Sequence, residues 1–234
     1  MPSHGFGNYS YEFSTPRKLV IFGSGEFARI ANLYFSQDSP YEVFAHLTDD
    51  EFYDTEFINS VPVFKTETNL RNLDPQEFHL FVAISGKQLS IPRMIKIQEL
   101  RNLGFRFASY VSSRSFVMED CSFSDNVFIF ENNTLQSKVQ IGSGSVLWSG
   151  NHIGHLSRIG SGCFLSSHVC VGGATQVLDN CYLGMNSTIR DQIVVSERTV
   201  VGANTYVNRN FDGNCVLFGS PAKILPGADP LLAV

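Results

Sequence analysis

The chain has 234 residues, 43% of them apolar, and a formal net charge of −5. That is enough to bury a real core in one large or two modest domains, and the acidic balance argues against a nucleic-acid partner, which calls for a basic face. The five cysteines form neither a CxxC pair nor zinc-like spacing, which reads as free thiols in a reducing compartment and predicts no metal.

Residues 1–15, rich in Ser, Gly and Tyr, read as a flexible arm without a signal-peptide pattern. No apolar run reaches the roughly 18 residues of a membrane span, so the expected location is the cytoplasm. Residues 16–112 alternate short apolar runs with helical patterns. The predicted elements are a strand at Lys18–Phe22, a helix over Glu26–Ser36, strands at Val43–Leu47, Val61–Phe64 and His79–Ile84, a helix over Ile91–Leu103 and a strand over Arg106–Val111. This order implies a small parallel α/β sheet of Rossmann type. Gly23-x-Gly25-x-x-Ala28 opens the first helix, where glycine lets backbone approach a phosphate and the helix N-terminus offers free N–H groups. Asp49 and Asp50 end the second strand, a position that often reads a ribose or base. His46 and His79 read as sheet-edge residues.

From residue 113 the pattern changes. Every sixth residue from Val117 to Val207 is apolar, and all of these but Phe123 are Val, Ile or Leu. Two positions earlier sit small or β-branched residues such as Ser145, Ser157, Cys163, Thr175 and Cys181, and immediately afterwards Gly is frequent. A period of six fits neither an amphipathic helix nor a hairpin meander. It predicts a β-helix over 113–226 in which each hexad makes one short strand and one corner, three hexads close an 18-residue coil, and glycine serves corners with unusual dihedrals. Residues 227–234 form a tail. Cys163 and Cys181 then point inward as core thiols, and Cys170 outward. Trp148 points outward, and since the residue one coil on is Ser166, no stacked aromatic partner is implied.

Five segments carry a resemblance: Gly23–Ala28, Asp49-Asp50, the turn Ile153-Gly154-His155-Leu156-Ser157-Arg158-Ile159-Gly160, the corner Gly172-Gly173, and the ending Phe218-Gly219-Ser220-Pro221-Ala222-Lys223. In these the chain resembles bacterial sugar O- and N-acyltransferases of the sialic acid O-acetyltransferase and bacillosamine-pathway N-acetyltransferase type, in which a Rossmann-like domain precedes a left-handed hexapeptide-repeat β-helix. The resemblance implies acetyl-CoA or another acyl-CoA as co-substrate and a nucleotide-linked amino sugar as acceptor. It also implies a homotrimer with sites between subunits. His155 matches the catalytic base and Gly173 the backbone N–H that receives the oxyanion. Ala203, Ser220 and Lys223 match cofactor contacts, with His168 a further candidate. Gly25, Glu26, Phe27, Asp49, Asp50, Ser85 and Lys87 are placed near the nucleotide sugar. Where the family often has an acid directly after the base, this chain has Leu156. Asn151, His152, a group from another subunit or a water then remain as orienting partners. N-acyl transfer, O-acetyl transfer and a non-catalytic nucleotide-sugar-binding module are the readings to separate.

Overall fold

The computed structural model describes residues 17–234; the arm expected over 1–15 lies outside them. The chain divides into two compact units, one made of Gly86–Ile91 and Val111–Val234, the other of the described residues up to Ser85 together with Pro92–Tyr110.

The N-terminal unit is a six-stranded sheet. Its strands are β1 (Arg17–Phe22), β2 (Tyr41–Thr48), β3 (Phe57–Ile58), β4 (Val61–Lys65), β5 (Phe78–Val82) and β6 (Arg106–Phe107), in the order β3-β4-β2-β1-β5-β6. All pairings are parallel except the β3–β4 hairpin, whose turn residues Asn59 and Ser60 both have positive φ, as a tight hairpin turn requires. Leu19 to Phe22 and all of β5 are buried, the continuous apolar run expected of strands covered on both faces. Alternate residues serve the two faces. Val20, Phe22, Leu80 and Val82 pack in one cluster with Ile97 and Leu100 of a helix, Ile91–Asn102. On the other face Phe81 meets Phe27 and Phe35 of α1 (Glu26–Gln37) edge-on, at centroid distances of 6.1 and 5.2 Å.

Two expectations are corrected here. The last strand is interrupted: Arg106–Phe107 pairs with β5, whereas Tyr110–Val111 joins the sheet that continues through the C-terminal unit. His46 and His79 are not at the sheet edge, because β2 and β5 flank the central β1 and both side chains are buried.

The C-terminal unit is a three-sided parallel β-helix. Pairs such as Thr134↔His152↔Cys170 and Gln140↔Arg158↔Gln176 repeat at an 18-residue offset. Face one carries the strands Phe128–Ile129 through Val200–Val201. Face two carries Phe116–Val117 through Tyr206–Val207, and face three Ser122–Phe123 through Val194–Val195. The hexad aliphatics stack on the axis and are buried from Ile129 onward, with Val117 and Phe123 half-buried at the first turn. The small residues two positions earlier also face inward: Ser145, Ser157, Cys163, Thr175 and Cys181 are at most 1% exposed. At the far end the offset shortens to 16, with Val200↔Val216, and an antiparallel strand Lys223–Ile224 follows.

The glycines that follow the axial residues do a different job from the one expected. They do not have positive φ. They allow successive coils to approach: a Cβ at Gly154 would lie 2.6 Å from the Gly173 nitrogen, and one at Gly172 2.5 Å from the Asp191 nitrogen. The left-handed residue comes two positions later and recurs at every sixth residue from Asn126 to Asn204. Asn and Gly fill most of these places, as the left-handed region favours. Leu156 is an exception, with φ of 62° and 55% exposure. Leu156→Asn is therefore expected to raise stability by about 1 kcal/mol, measured by denaturant unfolding. An unchanged or lower midpoint would show that Leu156 sits there without strain.

Trp148 also departs from expectation. Its ring stacks on Phe130, one coil earlier, at 4.4 Å with planes 10° apart.

Candidate active site

The corner Gly154-His155-Leu156 joins face two to face three. Its backbone is pinned from both neighbouring coils. The His155 N–H donates to Gln136 Oε1 (2.9 Å), the Leu156 N–H to the Ser137 carbonyl (2.9 Å), and the His155 carbonyl accepts from the Ala174 N–H (2.7 Å). The exposed imidazole lies over Gly173, one coil on, where a Cβ would come within 2.5 Å of Cε1 and 2.9 Å of Nδ1. Glycine at 173 is what lets the ring lie there.

The same arithmetic explains an uncommitted donor. Gln136 satisfies the His155 N–H, and its counterpart one coil on is Gly154, which has no side chain to do the same for Gly173. Among the described residues the Gly173 N–H has no acceptor, so an open donor lies beside an open imidazole. Neither ring nitrogen of His155 has a hydrogen-bond partner there.

The candidates proposed to orient the base separate on inspection. Asn151 is a structural residue. It is 1% exposed, its amide donates to the Trp148 carbonyl (2.5 Å) and its Oδ1 accepts from the Val169 N–H (2.7 Å). It repeats the role of Asn133 one coil earlier, so its inward position takes it away from the imidazole. His152 points outward from face two, half-buried, between Thr134 and Cys170.

His168 stands on a different corner, between faces one and two. Its ring covers Gly150, where a Cβ would lie 2.5 Å from Nδ1. Ala203 belongs to that same corner, its nitrogen close against Gly184. His155 and Gly173 on one corner, and His168 and Ala203 on the next, thus border face two from opposite sides. Apart from its two histidine and cysteine positions, His152 and Cys170, the outward column of that face holds only Phe116, Thr134, Thr188 and Tyr206, so it carries no formal charge. Ser220, in the turn of the last hairpin, and Lys223, which opens its returning strand, are exposed, and that turn hydrogen-bonds to Tyr206 at the end of face two.

Cys163 and Cys181 are buried and donate to the Leu178 and Ser196 carbonyls, which leaves them no nucleophilic role. Among the described residues no group of three His, Cys, Asp or Glu side chains is placed to hold a metal ion, and no helix is long and apolar enough to cross a membrane.

In the N-terminal unit, Gly23 (φ 129°) turns the chain from β1 into α1. Gly25 caps that helix without a side-chain bond, and a Cβ there would meet open space. The N–H groups of Ser24, Gly25 and Glu26 have no acceptor among the described residues. Phe27 differs from expectation: its ring is 8% exposed and packs in the core, so only its backbone faces this turn. Asp49 and Asp50 are already engaged by lysines. Lys96 lies 3.1 Å from Asp49 and 4.9 Å from the Phe22 ring centroid, and Lys65 lies 3.5 Å from Asp50. Burial works against the Lys96 charge, yet its bonds to Glu99 and Asp49 outweigh that and raise its pKa. Ser85 and Lys87 are exposed on either side of buried Gly86, which packs against Phe164.

Sequence reasoning missed Gln136 and Lys96. Gln136 was within reach of the repeat arithmetic, since it stands 19 residues before His155. Lys96 leaves no local signal, because its helix meets the end of β2 only through the sheet topology.

The sequence matches no protein-family model and no curated protein. Solved structures do match. PerB from Caulobacter crescentus, in complex with CoA and GDP-perosamine, is 23% identical over 89% of this chain and 97% of its own, with a TM-score of 0.80. WeeI from Acinetobacter baumannii AYE is 18% identical over 89% of this chain and 100% of its own, with a TM-score of 0.76. The acetyltransferase domain of PglB from Neisseria gonorrhoeae FA1090 is 21% identical over the same share of this chain and 100% of its own, with a TM-score of 0.55. This chain therefore has the fold shared by these proteins, a perosamine N-acetyltransferase among them.

Proposed function

We propose that the chain transfers an acetyl group from acetyl-CoA to the amino group of a nucleotide-linked amino deoxysugar, with His155 as general base. One observation carries this reading: an exposed imidazole, with no hydrogen-bond partner on its ring among the described residues, lies directly over a glycine whose N–H is likewise uncommitted among them.

An amino sugar is mostly ammonium at neutral pH, so it gives up one proton to solvent and the neutral amine is the species that attacks. His155 takes the second proton, from the nitrogen as it attacks, acting as general base. The nitrogen adds to the thioester carbonyl, and the Gly173 N–H receives the negative charge that builds on the carbonyl oxygen. Collapse breaks the carbon–sulfur bond, and the imidazolium returns its proton to the departing CoA thiolate. No acyl-cysteine is needed. Holding both substrates together supplies much of the rate by proximity.

In this reading residues 113–226 form the acyltransferase domain, wound left-handed, and 16–112 form a Rossmann-like nucleotide-sugar domain. Acyl-CoA runs along face two, touching His168, Ala203, Ser220 and Lys223. Two corners that border one face, with no charge between them, favour a homotrimer in which the His155 corner of one subunit meets the Ala203 corner of the next. The nucleotide sugar lies against Gly25, Glu26, the Phe27 backbone, Asp49, Asp50, Ser85 and Lys87. The work takes place in the cytoplasm, where acyl-CoA is made. The matched structures support the choice of substrates: one holds CoA and GDP-perosamine, and two are variants of the Caulobacter enzyme in which one histidine is replaced, 24% identical to this chain.

Thiol release from acetyl-CoA with a panel of UDP-, dTDP- and GDP-linked 3-amino and 4-amino sugars tests the proposal. At least one amino sugar is expected to release CoA. Release only with hydroxyl acceptors would replace N-transfer by O-transfer, and ligand binding without release from any acceptor would leave a binding module.

A further inference from the structure

We propose that His46 is a positioning residue for the nucleotide diphosphate: it pins the turn after β1 so that successive backbone N–H groups face the phosphates. This rests on the reading that the Gly23–Gly25 turn receives the nucleotide sugar.

His46 is fully buried on β2, and it reaches the turn directly. Its Nδ1 lies 3.1 Å from the Gly23 carbonyl oxygen, and its Nε2 lies 2.8 Å from the amide nitrogen of Asn32 on α1. The Asn32 amide is oriented independently, because its Oδ1 accepts from Ser36 Oγ at 3.3 Å. Asn32 therefore donates to Nε2, and Nδ1 carries the hydrogen that is given to Gly23. One neutral tautomer satisfies both contacts. Burial, together with the nearby positive charge of Arg29 on α1, keeps the ring in that state.

The consequence follows from peptide geometry. In a trans peptide the C=O and the following N–H point in opposite directions. Holding the Gly23 oxygen inward on His46 turns the Ser24 N–H outward. The N–H groups of Ser24, Gly25 and Glu26, none with an acceptor among the described residues, then follow one another at the start of a 12-residue helix. Such a run of N–H groups at a helix N-terminus is suited to an anion. The Ser24 side chain is occupied elsewhere, donating to the Phe52 carbonyl at 3.2 Å, so it does not compete for the phosphates. A glycine with φ of 129° has little intrinsic preference for one peptide orientation, which is why a buried side chain is needed to choose it.

Three variants of the full chain test this by isothermal titration with GDP and UDP, alongside steady-state kinetics. His46→Asn keeps an N–H donor at the Nδ1 position and is expected to bind within about threefold of the native protein. His46→Gln places its amide at the other ring position, and His46→Leu removes both bonds; each is expected to bind about tenfold more weakly. The KM for acetyl-CoA and kcat at saturation stay unchanged, which separates positioning from a general loss of structure. A direct check on the native protein is slowed exchange of the Ser24 and Gly25 amides when the nucleotide is added. Equal weakening in His46→Asn and His46→Gln, or native-like binding by His46→Gln, would overturn the inference alone. Absence of nucleotide binding by the native protein would instead overturn the reading of the turn on which it rests.

Discussion

His155→Ala is expected to lower kcat by about 10²- to 10⁴-fold while both substrates still bind, since among the described residues general-base removal of the amine proton has no second candidate at the corner. The comparison needed is single-turnover acetyl transfer against equilibrium binding of CoA and the nucleotide sugar. Gly173→Ala probes the same site from below. Its new Cβ would sit 2.5 Å from the ring carbon Cε1, so the imidazole must leave its place beside the N–H. The loss in kcat should be about as large as for His155→Ala, and the two substitutions together should cost little more than either alone, because base and oxyanion donor act as one unit. Multiplicative losses would show that the stacked pair does not act together. A small effect in His155→Ala would remove the proposed base.

Acid should unfold the N-terminal unit before the β-helix. His46 and His79 are both buried, and both pKa values are lowered from 6.5 to about 4. Burial is the main cause in each; Arg29 adds to it at His46, and Arg17 with Arg106 at His79. Arg17 donates to His79 Nε2 at 2.8 Å, which leaves no room for a proton on that nitrogen. An unfolded chain takes up these protons near pH 6.5 and the folded one only near pH 4. In that window the unfolded state holds more protons. The stabilisation is complete above about pH 6.5 and is lost as pH falls toward 4, about 3 kcal/mol for His46 and less for His79, whose ring lies nearer solvent. Set against a typical 5–15 kcal/mol for a domain, that is a substantial share. All α-helices among the described residues longer than one turn lie mainly in this unit, so the helical circular dichroism signal reports on it. Denaturant titrations at pH 7.5, 6 and 5 should show the helical transition moving steadily to lower denaturant. A midpoint independent of pH would mean the imidazoles take up protons as readily in the native state as in the unfolded one.

The β-helix was legible because its constraint is local and repeated. One aliphatic residue in six must reach the axis, and any lapse leaves a hole or a clash, so the period survives in the sequence from Val117 to Val207. Strand order in the N-terminal unit leaves no such mark, and His46 and His79 were placed at edges for that reason. The glycines after the axial residues were misread because two demands, a left-handed backbone and close approach between coils, are both met by glycine. Only the coordinates separate Gly154, which needs approach, from Gly150 and Gly162, which have positive φ. In the candidate site, His155 and Gly173 were named by the family resemblance, and their 18-residue separation agreed with stacking one coil apart. Asn151 misled because an inward ladder asparagine and an orienting asparagine look alike in one dimension. Trp148 was compared only with the residue ahead of it, while its partner Phe130 lies one coil behind.

A stack of parallel coils would offer a ready template at its last rung for another molecule to extend. Here that rung is sealed on all three sides by different means. The Val194 N–H donates to Asn210 Oδ1, Tyr206 exchanges hydrogen bonds with Gly219 and Ala222, and the rung at Val200–Val201 is followed by Val216–Phe218 and then by a strand running backwards. Reversing direction at the rim leaves only a two-residue edge, too short to recruit a neighbour. The shortened final turn thus works as a terminator, keeping a structure whose geometry favours endless growth as a discrete molecule.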